Sequence, residues 1–303
     1  MTAQYEGYLF VYFKGEFHPD GEQIYLALSV GNDPLHWQEL NGGQPVLFST
    51  LGEQGVRDPF IVRSSSGDGF YLVATDLKIY GNGDWKRAKS EGSRSIMVWK
   101  SSDLVHWSEQ TMVEIAPIEA GNTWAPEVLC GENGEFQVFW SSFLKDQAES
   151  HDKEPYHKVM VATTKDFSTF SKPKIYMDYG KSVIDTTIIE HNGQLYRFSK
   201  GDHVFQESGR SFNDKDFKMI NDNVEERFMV KGEGPIIFKS NTEEKWYLFI
   251  DEHGLRGYLP FETDDLNSGE WNMPKMFKLP EVTRHGSVIP ITKAEYERLL
   301  NFY

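Results

Sequence analysis

Val230-Lys-Gly-Glu-Gly-Pro-Ile-Ile-Phe238 sets one carboxylate, Glu233, between two glycines and just ahead of a proline and an apolar β-forming run. Glycine permits close backbone approach and unusual dihedrals, and Pro235 can begin a strand but not sit inside one. Glu233 is therefore expected at the mouth of a buried strand. The arrangement recurs at Arg57-Asp58-Pro59-Phe60-Ile61-Val62, Trp124-Ala-Pro-Glu127-Val-Leu129 and Val183-Ile-Asp185-Thr-Thr-Ile-Ile189. Four acids open four apolar strands at intervals of roughly 50–70 residues, the signature of a repeat architecture.

Working outward, each acid-led strand is followed by further short strands. Phe70–Thr75 and Ser95–Ser101 follow Asp58, Glu135–Ser141 and Lys158–Thr163 follow Glu127, Gln194–Ser199 follows Asp185, and Lys245–Ile250 and Gly257–Glu262 follow Glu233. Units close on a recurring Asp-(Leu/Phe)-x-x-(Trp/Phe) pattern, as in Asp103-Leu-Val-His-Trp107 and Asp166-Phe-Ser-Thr-Phe170, with a weaker close near Asp216-Phe217. Short strands punctuated by turns and repeated at this period indicate a β-propeller. The segment through Trp37 has strands Tyr8–Phe13 and Gln23–Ser29 but no opening strand, whereas His285–Ile291 is an opening strand with nothing after it. Joined, they complete a fifth blade with the late strand innermost, which closes the ring and removes exposed sheet edges. The expected fold is all-β, a five-bladed propeller forming one domain over residues 1–303. Thr292–Leu300 reads as the one helix, with Thr292 as cap and Glu295 completing a capping box.

The formal net charge of -15 and a pI near 5.1 argue against nucleic acid or an anionic membrane as partner. The lone Cys130 suits a reducing compartment. The opening residues show no basic-then-apolar leader, and no stretch reaches the ~18 apolar residues of a membrane span. A cytoplasmic protein is expected.

Inner strands of a propeller begin near its axis. Asp58, Glu127, Asp185, Glu233 and His285 should therefore ring one end of the channel. Carboxyls crowded in a partly dry cleft separate into protonated and ionised members, which glycosidic bond cleavage requires. Phe60 and Trp124 lie near enough to offer faces to a sugar ring. Trp37, Trp107, Phe170 and Trp271 are read instead as blade packing. The polar loops 80–86 and 145–156 either rim the pocket or form ordinary surface. His-Asp-Lys at 151–153 lacks metal-ligand spacing, and no phosphate loop, dinucleotide fingerprint or nucleophile elbow occurs.

The ordered set Arg57-Asp-Pro, Trp124-Ala-Pro-Glu, Ile184-Asp, Glu233-Gly-Pro and Arg284-His-Gly-Ser resembles glycoside hydrolase family 43 over nearly the whole chain. The resemblance implies a five-bladed propeller that hydrolyses arabinosides, xylosides or galactans with inversion, and an oligosaccharide substrate. It implies Asp58 as the base that activates water, Asp185 as the acid that orients and tunes the general acid, and Glu233 as that general acid. Glu127, Arg284 and His285 fall among the sugar-binding positions. His285 matches a histidine beside which some members hold calcium or a water cluster; no cofactor is required. Thr186 stands where the family's third motif carries proline, and Glu127 where its second often carries aspartate. The reading is a glycosidase releasing a terminal pentose, foremost α-L-arabinofuranose, with β-xylosidase or exo-galactanase as alternatives. A carbohydrate-binding propeller without turnover and a mannoside phosphorylase are the alternatives from other classes.

Overall fold

The structure, a computed structural model, describes residues 4–131, 134–144, 155–213 and 217–303. Five antiparallel sheets follow in chain order. The first holds β1 (Tyr5–Tyr12), β2 (Tyr25–Val30) and β3 (Asp33–Glu39). The second holds β4 (Val56–Arg63), β5 (Phe70–Asp76), β6 (Ser95–Ser101) and β7 (Thr111–Glu114). The third holds β8 (Trp124–Cys130), β9 (Phe136–Leu144), β10 (Tyr156–Thr164) and β11 (Lys174–Met177). The fourth holds β12 (Ile184–His191), β13 (Gln194–Lys200), β14 (Val204–Gly209) and β15 (Lys218–Asn221). The fifth holds β16 (Gly232–Lys239), β17 (Trp246–Glu252) and β18 (Gly257–Thr263). The late strand β19 (Ser287–Thr292) pairs antiparallel with β1, giving the order β19-β1-β2-β3 in the first blade. Strands β19, β4, β8, β12 and β16 pack side by side in a closed ring. This is the expected five-bladed propeller with its expected closure.

Both faces of each blade are buried, so the inner strands read as near-continuous apolar runs. Successive side chains of a strand point to opposite faces, and here each face serves a different neighbour. In β1, Leu9 and Val11 enter the cluster shared with blade two, while Tyr8, Phe10 and Tyr12 enter the one shared with blade five. Three further interblade clusters complete the circuit. Trp37 and Trp271 are core members, and Trp107 and Phe170 pack against core clusters, as the sequence suggested.

The recurring Asp pattern is the turn into a fourth strand rather than the end of a blade. Asp103 Oδ1 accepts the amides of Val105 and His106, and Asp166 Oδ1 those of Ser168 and Thr169. The strands that follow, β7, β11 and β15, are four-residue edges with mostly exposed side chains, so no apolar alternation marks them. Strand β14 also escapes a reading by hydropathy. Its buried Gln206 bonds Leu266 O and the Trp271 indole, and its buried Glu207 pairs with Arg197. A second helix, α1 (Trp85–Ser90), emerges from the expected polar loop at 80–86, with the Asp84 side chain accepting the Arg87 amide as its cap. Loop residues 145–154 lie outside the described residues, as do residues 151–153 within them and Asp216. Helix α2 (Lys293–Phe302) carries the expected Thr292–Glu295 capping box. No helix of the described residues is long and apolar enough to cross a membrane.

One backbone device recurs at the axis. The ladder slips by one residue between Arg57 and Phe60, Trp124 and Glu127, Ile184 and Thr187, and Glu233 and Ile236. Each slip is a β-bulge whose second residue has positive φ: Asp58 (49°), Ala125 (48°), Asp185 (51°) and Gly234 (55°). The fifth strand shows the same count, since Arg284 N bonds Phe13 O while Ser287 already pairs with Val11. Bulges bend a strand and re-aim its side chains. The four acids are therefore not one repeated position: Asp58 and Asp185 occupy the bulge itself, Glu233 precedes it and Glu127 follows it. Blade three shows that alanine tolerates this backbone. At Gly234, however, an added Cβ would stand 2.9 Å from His285 Cβ and Cγ. Gly234→Ala is expected to cost about 2 kcal/mol from overpacking, read by thermal unfolding as a melting temperature several degrees lower; an unchanged melting temperature would show that His285 is free to move.

Candidate active site

The bulges aim their neighbours into a cavity of about 320 Å³ at one end of the ring. Asp58, Asp185 and Glu233 all line it, with Arg57, Trp124, Arg284 and His285. Aspartate tolerates the left-handed region better than most residues. It can therefore hold a carboxylate at the kink itself, and the bonds around each acid fix its direction. Thr75 Oγ1 donates to Asp58 Oδ2 at 2.8 Å, and the same hydroxyl accepts the Ala125 amide. Asp185 Oδ2 accepts the Gly234 amide at 3.1 Å. Glu233 Oε1 lies 3.0 Å from Arg284 Nη2 and 2.9 Å from His253 Nδ1.

His285 stands between the acids. Its Nδ1 is 3.5 Å from Asp58 Oδ1 and 4.0 Å from Asp185 Oδ1, and its Nε2 is 3.8 Å from Glu127 Oε1. Arg57 bonds Glu16 and Glu22, and its guanidinium lies over the rings of Phe13 and Trp85. Trp124 forms a wall, backed by the buried His157 ring at 5.0 Å and met edge-on by Trp85.

Three carboxyls converging from three blades on one sugar-sized cavity is the arrangement a glycosidase needs, and the sequence as a whole agrees. A sequence model of the glycosyl hydrolase 43-related family, described as a probable glycosyl hydrolase domain, matches residues 3–297. The chain belongs to this family. It is also 35% identical over 210 residues to an α-L-arabinofuranosidase of Bifidobacterium longum subsp. longum, a match covering 65% of this chain and 20% of that protein. Among solved structures, a thermostable family-43 glycoside hydrolase superposes with a TM-score of 0.53 at 18% identity, over 77% of this chain and 75% of its own. An α-L-arabinofuranosidase from Lactobacillus brevis gives 0.52 at 13% identity, over 78% and 75%. Those two likenesses are of fold.

Electrostatics divide the carboxyls of this family-43-related site. Burial raises the Asp185 carboxyl to about 7, with Glu233 and Asp58 adding to the rise against the pull of His285. Burial likewise raises Glu127 to about 6. Burial also acts upward on Asp58, but the His285 bond and charge, with Arg57, outweigh it and leave this carboxyl below its ordinary value. Glu233 is lowered in the same way, burial being outweighed by His253 and Arg284. Burial would neutralise His285, yet Asp58, Glu127 and Asp185 raise its pKa well above the ordinary histidine value. With both ring nitrogens turned to carboxylates as N–H donors, this imidazolium offers calcium no lone pair. Calcium takes oxygen ligands, which here would have to come from the surrounding Asp58, Glu127 and Asp185 carboxyls rather than from His285.

Two expected sugar contacts are placed elsewhere. Phe60 follows the bulge, and the alternation of β4 turns it into the cluster between blades two and three, away from the cavity. Glu127, two residues past Ala125, does not line the cavity either; it is buried against His285. Conversely, Phe13, Leu77 and His253 line the cavity without having been singled out, while Trp85 brings the 80–86 loop to its rim and Ile184 accompanies Asp185. His253 lies just beyond the β17 apolar run, in a turn where nothing in the local pattern marks it.

The raised Asp185 gives a pH signature. Its folded carboxyl holds a proton that the unfolded chain releases near pH 4, so its contribution to stability falls as pH rises from about 4 to about 7. Asp185→Asn is expected to raise the melting temperature at pH 7 and to leave it nearly unchanged at pH 4. Equal shifts at both pH values would contradict a protonated Asp185.

Proposed function

We propose that this glycosidase releases a terminal pentose, foremost α-L-arabinofuranose, from small oligosaccharides by single-step inversion. The observation that carries the reading is the convergence of Asp58, Asp185 and Glu233 on one cavity. Its volume is at the small end of the ~300–1,000 Å³ usual for ligand sites, which suits one sugar ring better than a long chain. The B. longum relative's name supports arabinose. In this reading Asp58, held ionised by His285 and Thr75, takes the proton of the attacking water. Glu233 protonates the leaving oxygen, and Asp185 sits beside it, tied to the Gly234 amide that follows Glu233. The oxocarbenium-like charge that develops as the bond breaks is met by these acidic side chains.

Arg284 suits sugar binding. It lines the cavity, and its Nη2 is bonded to Glu233 there. Trp124 supplies a flat apolar wall. Both cavity arginines are already paired with carboxylates, Arg57 with Glu16 and Glu22 and Arg284 with Asp251 and Glu233. This favours water over phosphate as the nucleophile. The exposed free Cys130 is consistent with a reducing cytoplasm.

The test is hydrolysis of 4-nitrophenyl α-L-arabinofuranoside beside the β-D-xyloside, with Asp58→Ala as control. Preferential turnover of the arabinoside, abolished by Asp58→Ala, is expected; preference for the xyloside would reassign the sugar. Proton NMR of the first product should show the opposite anomer, and a retained anomer would overturn the single-step mechanism. Glu233→Gln should cost orders of magnitude in kcat on oligosaccharides and much less on activated aryl glycosides, which need little protonation. Equal losses would remove Glu233 as the acid.

A further inference from the structure

An oligosaccharide bound for cleavage needs room for two sugars, the one released and the one left behind. The inner cavity has the size for the first. The described residues that line it are buried or half-buried, with a single exception. Trp85 alone is exposed, at 41%. An indole held in water at the mouth of an otherwise enclosed cavity leaves a broad apolar surface uncovered, and covering it is favourable.

This ring is fixed in place. It opens α1, where Arg87 makes a paired contact with Glu53 at 2.9 and 2.7 Å. Ala88 of the same helix joins Leu77 and Ile79 in a cluster that packs against Trp124. The Trp85 indole meets Trp124 edge-on with ring centres 6.3 Å apart, and the Arg57 guanidinium lies 4.9 Å from its own ring centre. Arg57 is held by Glu16, Glu22 and the face of Phe13. The Phe13 ring is also 5.8 Å from the guanidinium of Arg284, which bonds Glu233. One wall therefore runs from Glu233 through Arg284, Phe13 and Arg57 to Trp85.

We propose that Trp85 is a specificity-determining residue, the platform on which the leaving sugar rests. The inference rests on the glycosidase reading, with one pentose filling the inner cavity. Beyond the bond to be broken the oligosaccharide must turn outwards, and the wall that starts at Glu233 ends on the exposed indole. A sugar ring presents C–H groups on its apolar face, whose slight positive charge suits the negative face of an aromatic ring. Such a contact selects a leaving group that is itself a ring, without selecting its hydroxyl pattern. The sugar released and the sugar left behind are thus recognised by different means: the first by charged groups in an enclosed space, the second by an apolar surface open to water.

The experiment compares the wild type with Trp85→Ala and Trp85→Phe, using the pentose that the wild type hydrolyses. One ligand is an oligosaccharide ending in that pentose, read as kcat/KM. The other is its methyl glycoside, read as a competitive inhibition constant; it fills the inner cavity and offers the rim only a methyl group. Trp85→Ala is expected to lower kcat/KM on the oligosaccharide by about tenfold, and Trp85→Phe to recover most of the loss. The inhibition constant of the methyl glycoside should stay within about twofold of wild type in both variants. Parallel losses on the two ligands would show that Trp85 shapes the inner cavity, and no loss on either would show that no leaving sugar rests on it; each result overturns the proposal. Thermal unfolding shows whether the variants keep the fold. Should Trp85→Ala lose it, Trp85→Leu takes its place, retaining apolar bulk over Arg57 without an aromatic face. If the wild type cleaves no pentoside, the reading of the cavity as a pentose site falls, and this inference falls with it.

Discussion

A single histidine at the propeller axis holds the acidic end of the ring together. His285 lies within 4.0 Å of carboxylates from three different blades. Without its charge, Asp58, Glu127 and Asp185 would face one another across a space largely closed to water. Repulsion and desolvation there act in the same direction, towards protonation. The cation divides the ring instead: the carboxyl that also receives a Thr75 hydrogen bond remains ionised, while the one bound only by an amide is raised to about 7. Asp58 and Asp185 thus differ by their neighbours more than by their chemistry.

The blade plan was legible because each inner strand begins with a carboxylate or histidine, beside glycine or proline in every blade but the fourth, and runs on into largely apolar sequence. These are the two marks of a kinked strand that is buried on both faces. What hydropathy could not show was carried by polar residues with tertiary partners. Strand β14 is held by Gln206 and Glu207, whose bonds reach Leu266, Trp271 and Arg197. The edge strands are too short and too exposed to leave a periodic signal. Helix α1 covers six residues, short enough for its Asp84 cap to be the principal local mark.

The site was legible to the same depth. Asp58, Asp185, Glu233, Trp124, Arg284 and His285 sit on or next to the kinks, where local sequence decides direction. Phe60 shares that neighbourhood in sequence, but strand alternation turns it into the interblade core. Glu127 was grouped with the other acids although the bulge register sets it two residues past the kink, against His285. His253 lies beyond the end of β17 and reaches Glu233 only because the sheet brings the two strands together. A contact made by pairing register has no counterpart in motif spacing.

The position of β19 has a consequence for biosynthesis. Arg284 and His285, the two cations that make the acid cluster tolerable, arrive with the strand that pairs with β1, after all the carboxylates have been made. A chain that has folded four blades would present Asp58, Asp185 and Glu233 without these two counter-charges. Ring closure therefore brings both cations to the acid cluster in one event. Helix α2 secures that closure through the paired contacts of Glu295 with Arg63 and the bond from Tyr296 to Ser29 O. The charge balance of the cavity is thereby coupled to topological completion: an incompletely closed ring lacks two of its cations.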